Sequence, residues 1–144
     1  MADSSGLVED NELIYRRVVQ TTNFYNQNQN PALSTMAFKP TDADVDGISV
    51  TRATLLQGNA EAAAALGFAG KNYYIIELVA GDLRNEGLTV VADPSTNDPS
   101  HAIIPALNKA TRNLPEVKNL MDRARRLNFN VYGPFPGKQP FPKT

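Results

Sequence analysis

The chain has 144 residues, of which 42% are hydrophobic, and 14 basic against 15 acidic side chains give a formal net charge of -1. These values suit one domain with a core of normal size, and the charge balance provides no overall attraction to nucleic acid or to an anionic membrane. The absence of cysteine excludes disulfides, thiolate metal sites and cysteine nucleophiles. Because no signal-like or bilayer-length apolar run is present, we expect a cytoplasmic protein without a membrane partner.

The first predicted element follows a polar leader over residues 1–11. Residues 13–19 are rich in β-branched and aromatic side chains, which favours a strand. Both faces of this strand are largely apolar, so we expect a central strand that is covered on both sides. Alternation along the strand places the adjacent Arg16 and Arg17 on opposite faces.

A long segment over residues 21–35 is rich in Asn and Gln and poor in aliphatic side chains. This composition predicts a loop that is available for function. Residues 36–39 and 48–51 are predicted as short strands, and the first of them ends at Pro40.

An acidic turn separates these two strands. Asp42, Asp44 and Asp46 alternate before Gly47, as in the first half of a calcium loop. The second half is missing, since Ala53 occupies the position of the closing bidentate glutamate. The alternative is a solvated turn before a strand. We expect this turn, with no tight calcium binding and no metal site.

Four elements are predicted in the middle of the chain: a helix over 59–66, a strand over 72–79, a turn or single helical turn over 80–86, and a strand over 88–92. Asn59 suits the N-cap of the helix, and Gly67 suits the position after its end. The strand over 72–79 is apolar around a single carboxylate, Glu77.

A polar loop over 93–100 contains two Asp-Pro steps, which favour extended backbone. The predicted elements that follow are a short apolar segment over 101–104, helices over 105–112 and 115–127, and a strand over 130–132. In the second helix Leu120 is central to an apolar stripe and is expected to face the core.

Together these elements predict an α+β fold with a mixed or mostly antiparallel sheet of about five strands and two or three packed helices. We expect a flexible leader over 1–11, a single globular domain over 12–132, and a Pro/Phe-rich tail over 133–144.

Three charged residues lie within predicted apolar strands, where a charge is costly unless it is paired. These are Arg16, Arg17 and Glu77. In one interpretation Glu77 pairs with an arginine and the pair is structural. In the other, the arginines clamp an anion and Glu77 is an acid or base. We expect the structural pair.

The only histidine, His101, follows the constrained loop and suits either a general base or a structural hydrogen-bonding residue. A basic cluster in the last predicted helix, formed by Arg123, Arg125 and Arg126, could contact phosphates. Interleaved acidic residues favour a solvated helix face instead, so we expect no nucleic-acid partner.

The order of three motifs resembles ADP-ribosyltransferase-like folds, including some small bacterial toxins. An arginine on the first strand, a Ser-x-Ser/Thr strand and a later strand glutamate correspond here to Arg16 or Arg17, to Ser49 with Thr51, and to Glu77. The resemblance implies NAD binding and polarisation of the ribose by these residues, although Ser-Val-Thr replaces Ser-Thr-Ser.

Three further segments, Leu-Ile-Tyr-Arg-Arg, Asp-Gly-Ile-Ser-Val and Asp-Pro-Ser-His-Ala, look like those of small bacterial proteins, a likeness that implies no chemistry. Because no complete catalytic constellation is visible, we expect a non-enzymatic binding or accessory module of a bacterial multi-protein system, of a defence or toxin-related kind. Such a module has a protein partner and needs no cofactor. The alternative is an NAD-dependent ADP-ribosyltransferase-like enzyme that uses Arg16, Arg17, Ser49, Thr51, Glu77 and His101.

Overall fold

The computed structural model describes residues 7–140; the start of the expected leader and the end of the expected tail lie outside this range. Within it the strands are β1 (Leu13–Val19), β2 (Ile48–Arg52), β3 (Asn72–Val79), β4 (Val91–Ala92), β5 (His101–Ile104) and β6 (Asn130–Pro136). The α-helices are α1 (Ala60–Ala65), α2 (Ala80–Asn85) and α3 (Pro115–Arg125), and short 3-10 helices cover Thr35–Phe38, Ala53–Leu56 and Lys109–Thr111.

The strands form one open antiparallel sheet in the order β4-β5-β2-β1-β3-β6. The predicted α+β class is therefore confirmed, with six strands rather than about five. β1 lies between β2 and β3, which confirms the central position expected from its two apolar faces. In the described residues no helix has the length and apolar character that a membrane crossing requires.

Several predicted elements differ in the structure. The segment predicted as a strand over 36–39 is instead the 3-10 helix Thr35–Phe38, because the side chain of Ser34 accepts a hydrogen bond from the Met36 amide and starts a helical turn. The helix predicted over 105–112 is reduced to Lys109–Thr111, which is capped in the same way by Asn108. The last strand continues to Pro136, because its pairing with β3 extends past a bulge.

The larger core lies on one face of the sheet, under α2 and α3, and the smaller lies on the other face, under α1. In α3 the buried residues are Val117, Met121 and Ala124, while Leu120 is half-buried at the edge of the stripe. The predicted apolar stripe is thus present, but its centre is Met121 rather than Leu120.

Hydrogen bonds and an ion pair close the acidic turn. The carboxylate of Asp44 accepts bonds of 2.7 and 3.0 Å from the amide and hydroxyl of Thr41, and Asp42 pairs with Arg112 at 3.0 Å. Gly47 has φ +144°, and a Cβ there would lie 2.5 Å from the carbonyl oxygen of Ile104. Glycine is therefore required by both conformation and space.

A buried ion pair fixes the start of β1 to the end of β2. Nε and Nη2 of Arg52 donate to the two carboxylate oxygens of Glu12 at 2.6 and 2.9 Å, and the side chains are 1% and 4% exposed. Bidentate pairing of this kind is what a charge inside a core requires.

Candidate functional site

One row of cross-strand neighbours runs over the face of the sheet that carries the smaller core. Its members, in order from β6 to β5, are Asn130, Glu77, Tyr15, Thr51 and His101. Side chains two residues apart on a strand share a face. Arg17 and Ser49 therefore lie on this face as well, whereas Arg16 starts from the opposite face.

The structure joins Ser49 and His101 by a hydrogen bond and adds a third residue, Asp93. Oγ of Ser49 lies 3.0 Å from Nε2 of His101. Nδ1 of the same ring lies 3.0 Å from the carbonyl oxygen of Asp93 and 3.2 Å from its carboxylate. This spatial order of hydroxyl, imidazole and carboxylate is the arrangement that activates a serine nucleophile.

The hydrogen-bond partners determine where the proton of neutral His101 lies. Both Asp93 groups near Nδ1 are acceptors, so Nδ1 must carry the hydrogen. Nε2 is then an acceptor that can receive the hydroxyl proton of Ser49. This tautomer is the one that a general base acting on Ser49 needs.

The loop before β5 holds the imidazole in place. Its two ends are joined, because the Asp93 amide donates to the His101 carbonyl at 2.9 Å. Inside the loop, Oδ1 of Asp98 accepts bonds of 3.1 and 2.6 Å from the amide and hydroxyl of the buried Ser100. The side chain of His101 is 27% exposed and that of Asp93 59% exposed, so the array is reachable from solvent.

Arg16 positions Ser49 through the main chain. Its Nη1 donates to the carbonyl of Ser49 at 2.8 Å, and its Nε donates to the carbonyl of Ala37 at 2.9 Å. Burial lowers the pKa of Arg16 to about 10, while the charge of Asp44 acts in the opposite direction. The guanidinium thus ties β1 to β2, the strand that carries Ser49.

Arg17 is directed toward α1 and β3. Its Nη1 donates to the carbonyl of Ala63 at 3.2 Å, and its guanidinium carbon lies 5.7 Å from the centre of the Tyr73 ring. Burial lowers the pKa of Arg17. These contacts hold α1 on the sheet.

The predicted ion pair between Glu77 and an arginine is wrong. Oε1 of Glu77 accepts bonds from Nδ2 of Asn130 at 3.0 Å and from the Tyr132 hydroxyl at 3.3 Å. β1 and β3 are neighbours as expected, but Glu77 is opposite Tyr15. The side chain of Arg16 lies on the opposite face of the sheet, and Arg17 donates to α1. Each of the three charged side chains therefore has hydrogen-bond partners other than the predicted ion pair.

A titration tests this placement of Glu77. The pKa of Tyr132 is raised by burial and then by the charge and hydrogen bond of Glu77. Glu77→Gln removes the charge, so we expect the phenol of Tyr132 to ionise at a lower pH. The measurement is a ring-selective NMR titration of Tyr132, with Tyr74 as an internal control; an unchanged Tyr132 curve would contradict the contact.

Among the residues that the ADP-ribosyltransferase resemblance implicates, no side-chain hydrogen bond joins Arg17, Ser49 and Glu77 to one another. Arg17, Ser49 and Glu77 share a face but lie on three strands, and each has its own hydrogen-bond partner. Thr51 is 5% exposed, so it offers little surface to a ligand. Two of the six candidate residues, Ser49 and His101, contact each other through their side chains.

The residues predicted from the sequence do not include Asp93. The signal that could have found it is its position at the start of the doubly proline-containing loop, directly before the strand that carries His101.

In residues 7–140 no group of three or more His, Asp or Glu side chains is placed to hold a metal ion. Comparisons with protein-family models, curated proteins and solved structures give no match to this chain.

Proposed function

We propose that the protein is a serine-dependent hydrolase of small esters, with Ser49 as nucleophile, His101 as general base and Asp93 as the residue that orients the imidazole. The observation that carries the proposal is the placement of His101 between Ser49 and Asp93. Its Nε2 is hydrogen-bonded to Oγ of Ser49 at 3.0 Å, and its Nδ1 lies 3.0 Å from the main-chain carbonyl of Asp93 and 3.2 Å from the Asp93 carboxylate.

The reaction follows from this tautomer. Nε2 of His101 takes the hydroxyl proton as Oγ of Ser49 bonds to the ester carbonyl carbon, and the imidazolium is stabilised by the Asp93 carboxylate. His101 then returns the proton to the leaving alcohol as the carbon–oxygen bond breaks. Water attacks the acyl-Ser49 with His101 again as base, releasing the carboxylic acid and restoring Ser49.

Hydrolysis of a short-chain p-nitrophenyl ester tests the proposal. We expect measurable turnover by the wild type and a loss of about 10³-fold or more in kcat/KM for Ser49→Ala, because the substitution removes the hydroxyl that is hydrogen-bonded to Nε2 of His101. Ser95→Ala is the matched control, since Ser95 is an exposed serine in the loop before β5. Equal activity in wild type and Ser49→Ala would refute the proposal.

A protein-binding accessory module is the second function that we propose, on a different surface. Leu7 and Val91 are 78% and 43% exposed, and both line a largely apolar cleft beside the short edge strand β4. Exposed apolar groups beside a sheet edge suit strand addition by a partner. Val91→Glu would weaken such a complex, whereas Ser49→Ala would leave it unchanged.

The absence of cysteine supports a reducing, cytoplasmic setting for either function.

A further inference from the structure

Two features that the Ser49 site does not use meet at one place. The Asn/Gln-rich loop after β1 and the arginines at the end of α3 face each other across a cleft of about 400 Å³, which we name the basic cleft. The residues that matter there are Gln29, Asn30, Pro31, Arg125, Arg126 and Phe129.

The basic cleft carries residual positive charge. Nε and Nη2 of Arg125 and Nε of Arg126 all donate to Asp122, at 2.8, 2.8 and 3.1 Å. The hydrogen bond from Arg125, followed by that from Arg126, lowers the pKa of Asp122 and keeps this carboxylate ionised. Two guanidinium groups against one carboxylate leave one positive charge. The side chain of Arg126 is 55% exposed, so that charge is available to an anion.

Hydrogen bonds within the loop after β1 fix the shape of the cleft wall opposite the arginines. The Asn26 amide donates to the Ala32 carbonyl at 2.8 Å and the Gln29 amide donates to the Asn26 carbonyl at 3.0 Å, which closes the loop on itself. The loop thereby contributes Gln29, Asn30 and Pro31 to the lining of the cleft, which they share with Phe129. An apolar wall with a few polar groups is typical of a small-molecule site.

We propose that the basic cleft binds a mononucleotide. Arg125 and Arg126 contact its phosphate, the base packs against Phe129 and Pro31, and the two carboxamides reach the edge of the base. The apolar wall favours a nucleotide over inorganic phosphate. The residual positive charge attracts one phosphate group, and the balanced net charge of -1 provides no overall attraction to a nucleic-acid strand.

Binding of 5′-AMP to the full chain, followed by NMR chemical shifts and calorimetry, tests the proposal. We expect saturable binding that weakens about tenfold in Arg126→Gln, because a charge-assisted contact is lost. Adenosine, which lacks the phosphate, should bind about tenfold more weakly than 5′-AMP. Arg123→Gln is the matched control. Arg123 is exposed on the same helix and does not line the basic cleft, so this variant should bind 5′-AMP like the wild type.

Three results would overturn the proposal. The first is the absence of saturable 5′-AMP binding by a folded wild type. The second is equal weakening by Arg123→Gln and Arg126→Gln, which would indicate nonspecific attraction to the helix. The third is binding of an oligoadenylate much tighter than that of 5′-AMP and dependent on Arg123, which would identify a nucleic-acid surface instead.

Discussion

Replacing Glu12 by alanine is expected to lower the free energy of unfolding by about 3–5 kcal/mol. The substitution removes the carboxylate that accepts two bonds from the Arg52 guanidinium, and that guanidinium is 1% exposed. A buried cation that loses its carboxylate cannot recover the lost solvation from water. Denaturant unfolding of wild type and variant, with equal slopes, measures the difference.

Asp42→Ala is the control for this prediction. Asp42 also pairs with an arginine, Arg112, but its side chain is 81% exposed. An exposed pair contributes about 0–1 kcal/mol, so Asp42→Ala should change stability little. If Glu12→Ala and Asp42→Ala shifted the unfolding midpoint equally, the pair between Glu12 and Arg52 would not be the structural element that we describe.

Replacing His101 by alanine is expected to lower kcat/KM for the ester by about 10³-fold or more, because the base that accepts the Ser49 proton is lost. Asp93→Asn should lower kcat/KM less than His101→Ala does. The main-chain carbonyl of Asp93 also accepts from Nδ1, at 3.0 Å, and survives that substitution. The His101 tautomer is therefore kept while the stabilising charge is removed.

Steady-state kinetics of both variants, with thermal melts to confirm folding, measure this order. A folded His101→Ala protein with wild-type turnover would show that the imidazole is structural. A loss in Asp93→Asn as large as that in His101→Ala would show that the carboxylate, rather than the main-chain carbonyl, determines the tautomer.

The local features were the ones that the sequence made visible. The alternation in β1 predicted that Arg16 and Arg17 take opposite faces, and the apolar spacing in α3 predicted a helix packed on the core. Both signals depend on neighbours along the chain. The 3-10 helix Thr35–Phe38 was missed because its cap, Ser34, is a local signal that the apolar residues after it concealed.

The partners of the charged residues could not be read in the same way. Glu12 meets Arg52 forty positions away, and the acceptors of Arg16 are main-chain carbonyls, which have no signature in a sequence. Asp93 became part of the candidate site because β4 and β5 pair on either side of the loop that it begins. Strand order, which brings Ser49 of β2 next to β5, was the missing information.

The nucleophilic role that we propose for Ser49 is tested most directly by covalent labelling. The folded protein is treated with a fluorophosphonate, and the modified peptide is identified by mass spectrometry. We expect one adduct, on Oγ of Ser49, which forms at a rate that falls sharply in His101→Ala and is unchanged in Ser95→Ala. No adduct at Ser49, or an adduct that forms equally fast without His101, would contradict the proposed hydrolase.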